Sequence, residues 1–72
     1  MNKAIITVGS VTTAIRARRL LQKINVQSRL VKVDPEKSEM GCTHGIEFSE
    51  EHFYTVVMEL ACNDIPYRLY KE

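Results

Sequence analysis

The chain repeats itself, and the repeat restricts its fold more than any other feature. Shifting the sequence by 39 positions lays Leu21 on Leu60, Val26 on Ile65, Arg29 on Arg68, Leu30 on Leu69 and Lys32 on Lys71, with Asn25 on Asp64. Each half reads as a strand–helix–strand unit that turns the same helix-to-strand corner. In the first half, Lys3 to Val8 is rich in β-branched residues. Ala4, Ile6 and Val8 alternate with Ile5 and Thr7, so the two sets take opposite faces of a strand. Gly9-Ser10 ends that strand, and Ser10 or Thr12 can cap a helix running to about Ile24. Ala14, Ala17, Leu21 and Ile24 recur at spacings of three and four, the period of a buried helix stripe. Arg16, Arg19 and Lys23 occupy a different stripe. Asn25 tolerates the left-handed backbone that stops a helix, and Val26 to Val33 follows as a second strand until Asp34-Pro35 breaks it.

The second half opens on a short strand, Ile46 to Phe48. Ser49 followed by Glu50 and Glu51 predicts a capped helix with acids complementing its dipole. Phe53, Val56, Val57 and Leu60 form its buried stripe, and Asn63-Asp64 ends it. Ile65 to Tyr70 is the last strand. Pro66 lacks an N–H to donate, which places that strand at a sheet edge. Two such units with right-handed crossovers give βαββαβ. The expected fold is α+β: a single domain over 1–72, a ferredoxin-like sandwich with a four-stranded antiparallel sheet and both helices on one face.

Composition narrows what this body can do. Seventy-two residues make one domain with one small core. A formal net charge of +1 gives no strong field for nucleic acid or an anionic membrane. The basic cluster Arg16, Arg18, Arg19 and Lys23 reads first as a solvated helix face. No apolar run approaches the roughly 20 residues that span a bilayer, and the N-terminus lacks a signal peptide's order of regions. A cytoplasmic location follows, with Cys42 and Cys62 reduced.

From Glu36 to Gly45 there is no apolar periodicity, which predicts a long loop, and long loops often carry function. Cys42 sits in it between Gly41 and Thr43, with His44 two residues on. An exposed thiolate is a nucleophile and a sulfur acceptor. The glycines let backbone N–H groups turn toward the sulfur, and His44 can lower the thiol pKa or shuttle a proton. An inert surface cysteine fits the same residues equally well. Cys62, beside Leu60 and Ala61, reads as a half-buried structural thiol, and His52 as a solvated residue of a helix's first turn. Cys42 and His44 supply two ligands where zinc takes three or four, so no metal is expected. There is no Cys-x-x-Cys, phosphate loop or paired-His motif, and no cofactor is implied.

The segment Leu30-Val31-Lys32-Val33-Asp34-Pro35, then Ser38, Gly41-Cys42, Ile46 and Phe48, resembles a family of small bacterial selenium/sulfur carrier-like proteins of uncharacterised function. In that family Gly usually follows the loop cysteine directly, whereas here Thr43-His44 intervenes before Gly45. The resemblance implies that Cys42 accepts sulfur or selenium as a persulfide or selenosulfide. A cysteine desulfurase or similar donor would load it, and an acceptor enzyme would unload it. The other reading is a non-catalytic protein-interaction or regulatory module. It would act through an apolar patch of Ile5, Thr7, Leu30, Tyr67 or Tyr70 on the uncovered sheet face, pairing as a homodimer. A stand-alone enzyme comes third, because no pocket or orienting group accompanies the thiol.

Overall fold

The computed structural model describes residues 2–34, 36 and 43–70. Strand β1 (Lys3–Val8) leads into helix α1 (Val11–Lys23), then β2 (Ser28–Lys32) and β3 (His44–Ser49). A single 3-10 turn (Glu50–His52), helix α2 (Phe53–Cys62) and β4 (Arg68–Tyr70) complete the order. The sheet is four-stranded in the order β2-β3-β1-β4, antiparallel at every pairing. The two strands that follow helices form its edges, as Pro66 led us to expect for the last one.

Register assigns the faces. Ala4 lies opposite Phe48, Ile6 opposite Ile46 and Val8 opposite His44, and residues directly opposite one another share a face. Ile6, Ile46 and Phe48 are buried in one apolar cluster with Ala17 and Leu21 of α1 and Val56 and Leu60 of α2. The alanines at 14 and 17 are wholly buried, which leaves little bulk between α1 and the sheet. Arg16 Nη2 donates to the carbonyl of Asn63 at 3.3 Å, tying α1 to the C-terminal end of α2, where a cation complements the helix dipole.

The two corners are built alike. Asn25 and Asp64 both have positive φ, 61° and 56°. The amides of Val26 and Ile65 donate to the carbonyls of Leu21 and Leu60, each at 2.9 Å. Those of Asn25 and Asp64 donate to Gln22 and Ala61, each at 3.2 Å. This is the two-bond helix stop in which a left-handed residue turns the next amide back onto the last turn. It also shortens both following strands. Val26 and Ile65, expected to open β2 and β4, are buried and donate to a helix carbonyl, so the ladders start later, at Ser28 and Arg68.

Two further expectations change. Ser49 does not cap α2: it stays in the ladder opposite Lys3, its side chain makes no capping bond, and α2 begins after the intervening 3-10 turn. The amide of Glu50 donates instead to the carbonyl of Asn2. The patch proposed for the uncovered sheet face also divides. Leu30 lies opposite Ile46, on the helix-covered side, and Tyr67 packs against the core cluster. Thr7 is fully buried, its hydroxyl donating to the Arg68 carbonyl. Ile5 and Tyr70 face each other across β1 and β4 on the uncovered side.

Candidate functional site at one end of the sheet

Cys42 lies outside the described residues. The residues that flank its segment do not, and they define the end of the sheet to which it is attached. β2 and β3 pair up to Lys32 opposite His44. One step further, the Val33 amide donates to the Thr43 carbonyl at 3.0 Å, closing the base of the connection. On the other flank the Glu36 amide donates to Asp34 Oδ1 at 2.9 Å, a local side-chain turn that redirects the chain as it leaves β2.

Gly45 makes this closure possible. It is buried, and a Cβ added there would come within 3.0 Å of the Ile6 carbonyl, 3.1 Å of Val33 Cγ1 and 3.2 Å of Ile5 Cγ2. A Cβ here would press on Val33, which would have to give by a few tenths of an ångström, and Val33 is the residue whose amide holds Thr43. The sequence alone presented this glycine as part of a loose loop. In the structure it is a packed position.

His44 is likewise a strand residue and not a loop residue. It opens β3 between Val8 and Lys32, is half-buried, and places Nδ1 3.2 Å from the Thr43 hydroxyl. Apolar periodicity missed it because neither His nor Gly marks a strand; its neighbours impose the pairing. By register His44, Val8 and Lys32 share the helix-covered side.

Helix α1 starts at this same end, three residues after Val8. Ser10 is its cap, the Oγ accepting from the Thr13 amide at 3.2 Å, and the first turn contains no acidic residue. The start of α1, Lys32 and His44 therefore stand where the chain returns from Cys42, together with Asp34 and Glu36 on the departing flank and the C-terminal end of α2, which Arg16 reaches.

The other candidates stand elsewhere. Cys62 is exposed, contrary to the half-buried thiol expected from its neighbours Leu60 and Ala61. Two helix positions are about 200° apart, so Cys62 points away from buried Leu60. It shares a shallow groove with Tyr54 and Met58, both well exposed on the outer side of α2. His52 sits in the 3-10 turn with Nε2 3.4 Å from Glu51 Oε1. A larger groove of about 800 Å³ lies at the opposite end of β1, bordered by Lys3, Glu47, Glu50, Glu51, Tyr54 and Tyr70. Sequence reasoning missed it, because Glu50 and Glu51 were read as partners of a helix dipole. Among the described residues no three His, Cys, Asp or Glu side chains are grouped to hold a metal ion, and no helix is long and apolar enough to cross a membrane.

No curated protein and no solved structure matches the chain. The family described as "Putative Se/S carrier protein-like" matches residues 3–71, which takes in every strand and helix described above and the cysteine segment between β2 and β3. By that match the chain belongs to the Se/S carrier protein-like family.

Proposed function

We propose that the protein carries sulfur or selenium on Cys42, as a persulfide or a selenosulfide, between a donor enzyme and an acceptor enzyme. The family match over residues 3–71 is the observation that carries this reading. For sulfur, the Cys42 thiolate attacks the outer sulfur of a persulfide on the donor. The donor's S–S bond breaks, a new S–S bond forms on Cys42, and the donor's thiolate leaves, with no net oxidation. A cysteine desulfurase is the class of enzyme that generates such a persulfide from free cysteine. On this reading the start of α1, Lys32 and His44 are the groups at that sheet end that would favour a thiolate, working against Asp34 and Glu36 on the departing flank. The body supports the role as well. A carrier needs a small stable frame and an accessible sulfur, and the order β2-β3-β1-β4 with two crossover helices is what a ferredoxin-like frame of this kind would have. A reducing, cytoplasmic setting suits a free thiol.

The exposure of Cys62 sets the form of the test, since two thiols compete for any sulfur donor. The protein is incubated with a cysteine desulfurase and cysteine, digested, and each cysteine peptide is weighed. The Cys42 peptide gains one sulfur atom, Cys42→Ser loses that gain, and Cys62→Ser keeps it. Sulfur on Cys62 alone, or on neither, would rule the carrier role out.

A further inference from the structure

Charge is segregated along this chain in a way that its net value of +1 conceals. Residues 1–33 contain seven Lys and Arg and no Asp or Glu, whereas residues 34–72 contain nine Asp and Glu and three Lys and Arg. Helix α1 takes the largest share of the excess, with Arg16, Arg18, Arg19 and Lys23, all exposed. Arg16 is used against the carbonyl of Asn63. Arg18, Arg19 and Lys23 have no carboxylate within ion-pair reach among the described residues. Arg19 and Lys23 stand one turn apart on the same stripe, where like charges repel. A helix that only needed solvation would gain from an interspersed Glu or Asp, and this one has none.

The same surface exposes two large apolar side chains, Val11 at 46% and Ile15 at 41%. Val11, Ile15, Arg18 and Gln22 follow at spacings of four, three and four, so the apolar pair and Arg18 form one row, with Arg19 and Lys23 on the stripe beside it. A phosphate backbone offers nothing to Val11 and Ile15, and nine carboxylates on so small a body oppose a polyanion at longer range. A protein surface with an apolar patch beside a row of acidic residues matches both features. The apolar end of this face is also its first turn, which begins three residues beyond Val8, the partner of His44 in the ladder.

We infer that the outer face of α1, with Val11 and Ile15 at its first turns and Arg18, Arg19 and Lys23 along the rest, docks onto an acidic surface of the enzyme that loads Cys42. This rests on the carrier reading above and adds the surface by which the donor is recognised. Docking along α1 brings the donor's active site to the sheet end where the Cys42 segment returns.

The test compares the wild type with the triple variant Arg18→Glu, Arg19→Glu, Lys23→Glu, and with Ile15→Ser, in two loading reactions. One uses a cysteine desulfurase with free cysteine. The other uses glutathione persulfide, a small donor that needs no docking surface. The charge-reversed chain loses at least about tenfold in kcat/KM with the desulfurase, and Ile15→Ser loses less but measurably. Wild-type loading by the enzyme slows as salt rises from about 0.05 to 0.5 M, and the variant's does not. Loading by glutathione persulfide is unchanged throughout, which also reports an intact fold and thiol. Enzymatic loading of the triple variant within about twofold of wild type would overturn the docking inference alone. So would salt-sensitive binding of the wild type to duplex RNA, lost in the variant, with enzymatic loading unaffected. A wild-type chain that takes sulfur from neither donor would overturn the carrier reading, and the inference with it.

Discussion

Gly45 shows at the scale of one residue how the sheet prepares its end. The three atoms that crowd its missing Cβ include a carbonyl of the central strand, Ile6, which cannot yield without disturbing the ladder. Gly45→Ala should therefore cost about 1–3 kcal/mol through overpacking. A single core of this size leaves roughly 3–5 kcal/mol in all, so the variant should unfold at a clearly lower urea concentration. Gly9 is the control, since nothing lies within 4 Å of a Cβ built there. Gly9→Ala should be neutral or add up to about 1 kcal/mol by restricting the unfolded chain. Equal urea midpoints for the two variants would remove the case that Gly45 sets the position of Val33, and through it of Thr43. The Arg29–Glu47 ion pair, with Arg29 mostly in water, is not comparable in weight.

At the scale of elements, the two helix-to-strand corners make the repeat physical. Asn25 and Asp64 hold the same left-handed conformation, and the amides after them close the same bonds with the same lengths. Alanine in that conformation costs roughly 1–2 kcal/mol. Asn25→Ala and Asp64→Ala should thus each lower stability by about 1 kcal/mol or slightly more in thermal or urea unfolding. A loss at one corner only would contradict their equivalence. These corners also show what could be read in the sequence. Apolar residues at spacings of three and four place both helices, Asn25 and Asp64 place both stops, and Pro66 places the last strand at an edge. Val26 and Ile65 were misassigned to strands for one shared reason: an apolar β-branched residue after a left-handed turn looks like a strand start, while its amide is still committed to the helix. Ser49 was misassigned as a cap because a serine before two acids looks the same whether or not the strand keeps it. The candidate site was legible as a segment and not as a geometry. His44 and Gly45 have no strand signature of their own, and only the pairing with Val8 and Lys32 makes them part of β3. Cys62 was read from its neighbours in sequence, whereas a helix sorts side chains by angle.

For the whole molecule, the arrangement is a small antiparallel sheet with two helices in one apolar cluster, and a different chemical character at each end of its central strand. At the Val8 end stand the start of α1, the C-terminal end of α2, Lys32, His44, Asp34 and Glu36, and the return of the cysteine segment. At the Lys3 end, Glu47, Glu50 and Glu51 border a groove. Along the sequence, seven of the ten Lys and Arg precede residue 34 and all nine Asp and Glu lie from residue 34 onward. The central proposal is that Cys42 is the reactive sulfur, and Cys62 is a built-in reference: exposed, on the outer side of α2, and next to Asn63, whose carbonyl Arg16 binds. The decisive measurement is the iodoacetamide alkylation rate of both cysteines, resolved by peptide mass, as pH is lowered from about 9 through the free-thiol value of about 8.5 to about 6. Cys42 should keep reacting after Cys62 has slowed, and Cys42 alkylated alone at the low end should no longer accept sulfur from the desulfurase. Rates that fall together, or a Cys42 that slows first, would contradict the account.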